Sequence, residues 1–320
     1  MTTTWPQPLE PVTGPMAPAR LDGAAEGMGE HGPATRSLVA AGLVPPDLIC
    51  GMTLFLLARQ PRRPRSSGDG GGPPASGVAG GVWVRERFTI HRPLGREQPF
   101  VVTGQSTGRH VRKGRRYGTT ASHAVDAAGR SVSTNLTTGL LSYRPDPSLA
   151  DAVEGMPVDD TPAPTPDRSA ASSNPHLDRL REVRVGDRLG GDEVVVSLPM
   201  MAARDTDRPD NPIHSDPEEA RRAGLAKPIA GGSHVLAFAV EPLLAAWGTG
   251  SLSHGASFDV RWKAPTEADE AIVATATVAS VTDDGIVVDL GVTLVDGPVA
   301  MVGTVTIPLP EPTPGPGPTR

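Results

Sequence analysis

The chain of 320 residues has a single cysteine, Cys50, so an internal disulfide framework is excluded and a reducing compartment is favoured. No apolar stretch is long and unbroken enough to span a bilayer. The first residues, MTTTWPQPLEPVTGP, have neither the basic start nor the apolar run of a secretory signal, and a cytoplasmic location is expected. The net charge of −6 leaves no basic footprint for nucleic acid. No Gly-x-Gly-x-x-Gly follows a strand, and there is no Walker-type loop and no His-Glu-x-x-His. His91, His110 and His123 lack metal-ligand spacing, so neither a nucleotide cofactor nor a metal is expected.

What is abundant is glycine (37) and proline (35), much of it in connecting stretches. A chain of this length buries one large core or two medium ones. Residues 1–35, rich in Pro, Gly and Ala, read as a disordered leader. After Pro45-Pro46, Asp47 is a candidate cap for a buried apolar helix over about 48–59. Residues 61–81 read as a flexible loop. Strands are expected over 82–94, from 100 to about 109, over YGTTASHAVD (117–126), and over 131–145.

Residues 146–180, rich in Pro, Asp and Ser, read as a linker between two domains, 36–145 and 181–310. The second domain restarts with two short strands over 183–199. Four more strands follow, over 257–265, 271–282, 285–297 and 299–310, joined by Asp-Asp-Gly and Asp-Gly turns. The tail, 311–320, is expected to be disordered. Both halves read as an apolar helix, a loop and a strand meander. A sheet curled around such a helix buries both at once.

Between the second domain's first strands and its last four lies DTDRPDNPIHSDPEEARRAGLAKPIAGGSHVL (205–236). Asp205, Asp207 and Asp210 lead to Asn211-Pro212-Ile213-His214. Asp216-Pro217 is placed to open a short helix, with Asp216 as its cap. Gly231-Gly232 starts a long apolar helix. An imidazole and a carboxylate together can hold a water and move protons. Unpaired N–H groups at a helix start can stabilise charge on a carbonyl oxygen. Asp210 is the first candidate for the carboxylate, then Asp207, then Asp205, and each also fits a turn or cap. Asn211 fits a side chain that fixes the loop. Gly231 and Gly232 equally fit a plain loop-to-helix turn. Arg221, Arg222 and Lys227 suit either phosphates or solvent.

DNPIHSDPEEARRAGLAKPIAGG resembles the motif of the MaoC-like, (R)-specific enoyl-CoA hydratases, which reads Gly-Asp-x-Asn-Pro-[Ile/Leu]-His-x-Asp, then Ala, Gly and Pro-Ile-[Val/Ala]-His-Gly. The match holds at Asn211, Pro212, Ile213, His214, Asp216, Ala220, Gly224, Pro228, Ile229 and Gly232. It departs where Pro209 takes the place of the family's Asp and Gly231 that of its second His. The resemblance implies an α+β fold, a double hot-dog of two antiparallel sheets each wrapped around a central helix, with a degenerate first half that shapes an acyl tunnel. It implies a hydro-lyase for trans-2-enoyl or (R)-3-hydroxyacyl thioesters of CoA or acyl carrier protein. His214, Asp210, Asp207 and Gly232 would be catalytic, and Asn211, Gly231 and Ser233 would meet substrate. A homo- or heterodimer is compatible with it. The alternative, motivated by the displaced Asp, is a hot-dog protein that only binds acyl thioesters, serves as a subunit, or hydrolyses them.

Overall fold

A computed structural model describes residues 4–60, 82–141, 145–156, 164–206 and 212–311. The loop expected over 61–81 and almost all of the tail from 311 lie outside these residues. In chain order, the N-terminal part holds β1 (Gln7–Thr13), α1 (Pro18–Glu26), α2 (Pro33–Ala40), α3 (Pro46–Cys50) and α4 (Met52–Leu57). The first meander follows: β2 (Val82–Ile90), β3 (Phe100–Arg112), β4 (Arg115–Asp126) and β5 (Ser131–Leu140). A connection carries β6 (Ala152–Gly155), α5 (Arg168–Ala171) and α6 (Leu177–Arg181). The C-terminal part is β7 (Arg188–Val196), α7 (Leu198–Arg204), α8 (Pro217–Arg222), α9 (Gly232–Trp247), β8 (Ser257–Trp262), β9 (Glu270–Thr282), β10 (Gly285–Leu294) and β11 (Val299–Pro308).

In the C-terminal half the alternation of Val and Ile with polar residues fixes the pleat: Ile286, Val288, Leu290 and Val292 of β10 face inward and are buried. Asp283-Asp284 and Asp296-Gly297 turn the chain where the sequence placed the turns. β9, β10 and β11 pair in order. They close over α9, whose Leu236, Phe238, Val240, Leu243 and Leu244 are all buried. An aliphatic helix of 16 residues has no polar stripe to show to water, so the sheet must cover it.

The two sheets expected from the sequence are joined. β2 pairs antiparallel with β8, giving one 11-stranded sheet. Phe88 and Phe258 stand opposite each other across this seam and stack, with centroids 4.4 Å apart and rings inclined by 1°. Such contact adds to simple area burial and welds the halves at their centre.

Four expectations need correction. The leader is ordered from residue 4 onward: β1 pairs with β3, and Leu21, Ala24 and Met28 are fully buried. Their helical spacing was hidden among Pro, Gly and Ala. Glu241 of α9 anchors the leader further, accepting hydrogen bonds from the N–H groups of Ala34 (2.6 Å) and Thr35 (3.0 Å) and the Thr35 hydroxyl (2.6 Å). These are the orphan donors at the start of α2. The helix expected over 48–59 starts instead at Pro46, on an N-cap Pro45, and breaks at Gly51 into α3 and α4. Asp47 caps nothing; it is buried and ion-paired with Arg204. The connection after β5 forms β6 on β3 and seats Leu180 in the core. The pair of strands expected over 183–199 is one strand, β7, because residues 184–187 form a turn instead, closed by Asp187 N–H on the Arg184 carbonyl and by Arg184 N–H on the Asp187 carboxylate.

In the first half Glu86 of β2 is fully buried, with Oε1 accepting from Asn135 Nδ2 at 3.2 Å. Burial pushes its pKa up to about 8. Above pH 4.5 the unfolded chain gives up this proton while the folded chain keeps it. The folded state thus binds more protons, and this carboxyl lowers stability as pH rises from 4.5 to about 8. Glu86→Gln is expected to remove that slope and raise stability at pH 7.5 by on the order of a few kcal/mol, with a matching rise in the thermal midpoint. Melting curves of both forms at pH 5 and pH 7.5 check this; a midpoint gain no larger at pH 7.5 than at pH 5 would refute it.

Candidate active site

The central segment folds so that two stretches meet. Pro212–His214 form a single 3-10 turn, with Ser215 and Asp216 N–H bonded to the Pro212 carbonyl. Asp216 caps α8 through the N–H groups of Glu218 (2.7 Å) and Glu219 (3.2 Å), as its sequence context required. The chain then returns through Pro228–Ala230. Ile229 N–H bonds the Ile213 carbonyl, and Ala230 N–H bonds the Thr266 carbonyl. This return brings the start of α9 against His214.

His214 is 7 % exposed. Its Nδ1 lies 2.6 Å from the Ile229 carbonyl oxygen. A carbonyl only accepts, so Nδ1 carries a proton and donates in this contact. A side chain at Gly231 would begin 3.9 Å from His214 Cε1 and 4.0 Å from Nε2. Gly231 itself therefore puts no side chain over this edge of the imidazole.

Gly232 opens α9. His234 and Val235 N–H bond the Gly231 carbonyl. The N–H groups of Gly232 and Ser233 come earlier in the first turn, where no intrahelical acceptor exists. A Cβ on Gly232 would stand 2.9 Å from Trp83 Cε3 and 3.0 Å from Trp262 Cε2, so two indoles close on the bare backbone. Trp262 Nε1–H donates to the Gly232 carbonyl at 3.1 Å, which orients this peptide. Trp83 comes from the first half and Trp262 from the second, with ring centroids 5.5 Å apart. The start of α9 thus lies where the halves meet.

Of the three aspartates, Asp205 alone is among the described residues. It ends α7 and is half-buried, with Oδ2 buried. Asp207, Asp210 and Asn211 lie outside them. Ser233 does not cap α9, which has no side-chain cap; its carbonyl accepts from Arg204 at 3.5 Å. Arg222 is engaged with Glu218 and Glu219, and Arg221 with the Pro217 carbonyl.

Several residues near the site were not foreseen. Trp83 and Trp262 sit at strand ends, and their approach to Gly232 is a product of long-range pairing. His234 is buried, donates Nε2–H to the Gly27 carbonyl at 2.7 Å, and has its pKa lowered to about 3, by burial first and then by the Arg204 charge. It therefore stays neutral and serves to hold the leader. Arg204, on α7, pairs with Asp47 of α3 and donates to the Ala24 carbonyl at 3.3 Å. Among the described residues no cluster could hold a metal ion, and no helix is long and apolar enough to cross a membrane.

Comparison with known proteins bears on the fold and on one domain of it. Residues 206–294 match the profile of the MaoC like domain. No curated protein sequence matches the chain. Among solved structures, one described as a MaoC-like dehydratase is 18 % identical, with a TM-score of 0.67 over 95 % of this chain and 97 % of that one. A MaoC-like dehydratase from Phytophthora capsici is 16 % identical, with a TM-score of 0.63 over 94 % and 95 %. A protein of Mycobacterium tuberculosis described as having a double hotdog fold is 14 % identical, with a TM-score of 0.59 over 92 % and 93 %. At such identities the structures speak for the fold alone, and the domain match is confined to residues 206–294, which include His214 and Gly232. The chain thus has a double hot-dog fold, and its C-terminal half carries a match to the MaoC like domain.

Proposed function

We propose that the protein is a hydro-lyase that reversibly hydrates trans-2-enoyl thioesters and dehydrates (R)-3-hydroxyacyl thioesters, carried on CoA or on acyl carrier protein. The observation that carries this reading is the placement of one buried imidazole, held through Nδ1–H by the Ile229 carbonyl, beside the opening turn of α9. In the hydration direction, His214 and a carboxylate hold a water. One of them takes a proton from that water as its oxygen bonds to C3, and the other delivers a proton to C2. Asp210 is preferred as the carboxylate, with Asp207 next. The negative charge that gathers on the thioester oxygen during this exchange is met by the Gly232 N–H at the positive end of the helix. Asn211, Gly231 and Ser233 lie on the same segment and are the proposed substrate contacts.

The test is an assay of the purified protein with crotonyl-CoA and longer enoyl-CoA thioesters, followed by loss of the conjugated absorbance. Hydration above a His214→Ala control supports the reading. Thioester binding with no turnover at any chain length would instead favour a carrier or subunit.

A further inference from the structure

The first half contains a cleft of about 100 Å³ that none of the proposed catalytic groups lines. It lies under the end of α4, between Leu54 and Leu57 and the inner face of β2–β5. Its floor is a row that crosses four strands. Trp83 stands opposite Gly139, Gly139 opposite Gly118, and Gly118 opposite Arg109. Residues opposite one another in antiparallel strands share a face. The row therefore reads indole, nothing, nothing, guanidinium. The glycines make the trough: a Cβ on Gly139 would meet nothing nearer than the Val82 carbonyl oxygen at 4.0 Å, and one on Gly118 only Leu141 methyls at 3.4 Å.

Three strand spacings, ~14 Å, separate the backbones of Trp83 and Arg109. The reach of the two side chains leaves a span for a few carbons. The inner end is Trp83, whose ring also abuts Gly232 at the start of α9. The walls are mixed, with Thr119, Thr120 and Thr137 beside the leucines. At the outer end, among the described residues, Arg109 makes no ion pair; its guanidinium carbon lies 6.0 Å from the Trp5 ring centroid. Glu154 of the exposed edge strand β6 is its cross-strand neighbour. Arg112, Lys113, Arg115 and Arg116 continue the positive charge along the β3–β4 hairpin, against a chain charge of −6.

We propose that this trough receives the acyl end of the thioester and selects a short acyl group that ends in a carboxylate, held by Arg109. The proposal rests on the thioester reading above. A guanidinium fork matches a carboxylate in two parallel hydrogen bonds, and hydroxyl-lined walls favour an oxygenated chain over a plain alkyl one.

Binding of two saturated probes, glutaryl-CoA and butyryl-CoA, tests this without any turnover, because neither can be hydrated. They share the CoA portion and differ in the terminal carboxylate. Titration by calorimetry is expected to show glutaryl-CoA at least tenfold tighter. Arg109→Gln should erase that difference while leaving butyryl-CoA within about twofold, and Gly139→Leu, which fills the trough, should weaken both. Arg109 is exposed, so its variant should melt as the parent does. Equal affinity for the two probes, no binding of either, or an equal loss of both on Arg109→Gln would overturn the proposal. A retained preference for glutaryl-CoA in a protein that hydrates no enoyl thioester would instead remove the hydratase reading and leave the trough assignment standing.

Discussion

Replacing His214 by alanine is expected to lower kcat/KM for crotonyl-CoA by ~10²–10⁴, the range supplied by a positioned proton-transfer group. The loss should fall mainly on kcat, because the imidazole acts on the water and the reacting carbons and not on the body of the substrate. His214 also ties the turn at 212–214 to Ile229 through its Nδ1–H. A structural contribution is therefore expected too, and a control must separate it. His214→Asn keeps an amide that can donate to the Ile229 carbonyl but cannot take up a proton near neutrality. It should restore the parent's melting temperature without restoring turnover. Full activity in the alanine variant, or recovery of activity by asparagine, would show that the ring only holds the turn.

The largest effect on stability is expected at a pair remote in sequence. Arg204 and Asp47 are both buried, 4 % and 0 % exposed at the side chain, and they join α7 to α3 across the two halves. Removing one partner strands the other charge in a low-dielectric interior, at a cost of ~3–5 kcal/mol. Asp47→Asn or Arg204→Met alone should thus lower the thermal midpoint by roughly 5 °C. The double replacement Asp47→Leu with Arg204→Met leaves no charge unpaired and should recover most of the loss, since apolar substitutes for buried pairs are often neutral. Circular-dichroism melts of the three variants decide the matter; single variants that lose less than ~1 kcal/mol would place the pair with weak surface bridges. Because α7 leads directly into the aspartate loop, the single variants should also lose turnover out of proportion to their remaining folded fraction. That is a positioning effect, and the double variant should restore stability more fully than activity.

These two expectations differ in how they can be reached from the chain. His214 stands out in the sequence because its surroundings are local. Asn-Pro before it, Asp-Pro after it and two glycines a short way on are a contiguous pattern, and each residue works on its neighbours in the chain. The cap at Asp216, the hairpin turns at Asp283-Asp284 and Asp296-Gly297, and the alternating strands of the second half are local in the same sense. Arg204 and Asp47 are 157 residues apart, and neither sits in a pattern that marks a partner. Read locally, Asp47 after two prolines is a helix cap, and that inference fails because the charge is spoken for elsewhere.

The same division explains the leader. Its composition is that of a disordered segment, but a strand that completes the edge of β3 and a helix start that caps itself on Glu241 gain their stability from residues far along the chain. Composition measures what a segment can bury by itself, and says nothing of what another segment can bury for it.

By itself the sequence determined the strand meanders, the apolar helix they enclose, the loop that carries the imidazole, and the glycines that begin α9, because all of these follow from periodicity and from short-range backbone chemistry. Tertiary structure alone decided that the two sheets fuse at β2 and β8, that Trp83 and Trp262 close on Gly232, and that a row of glycines opens a trough ending at Arg109. Cross-strand register sets each of these contacts. Register is a property of paired strands, so no single stretch of chain contains it.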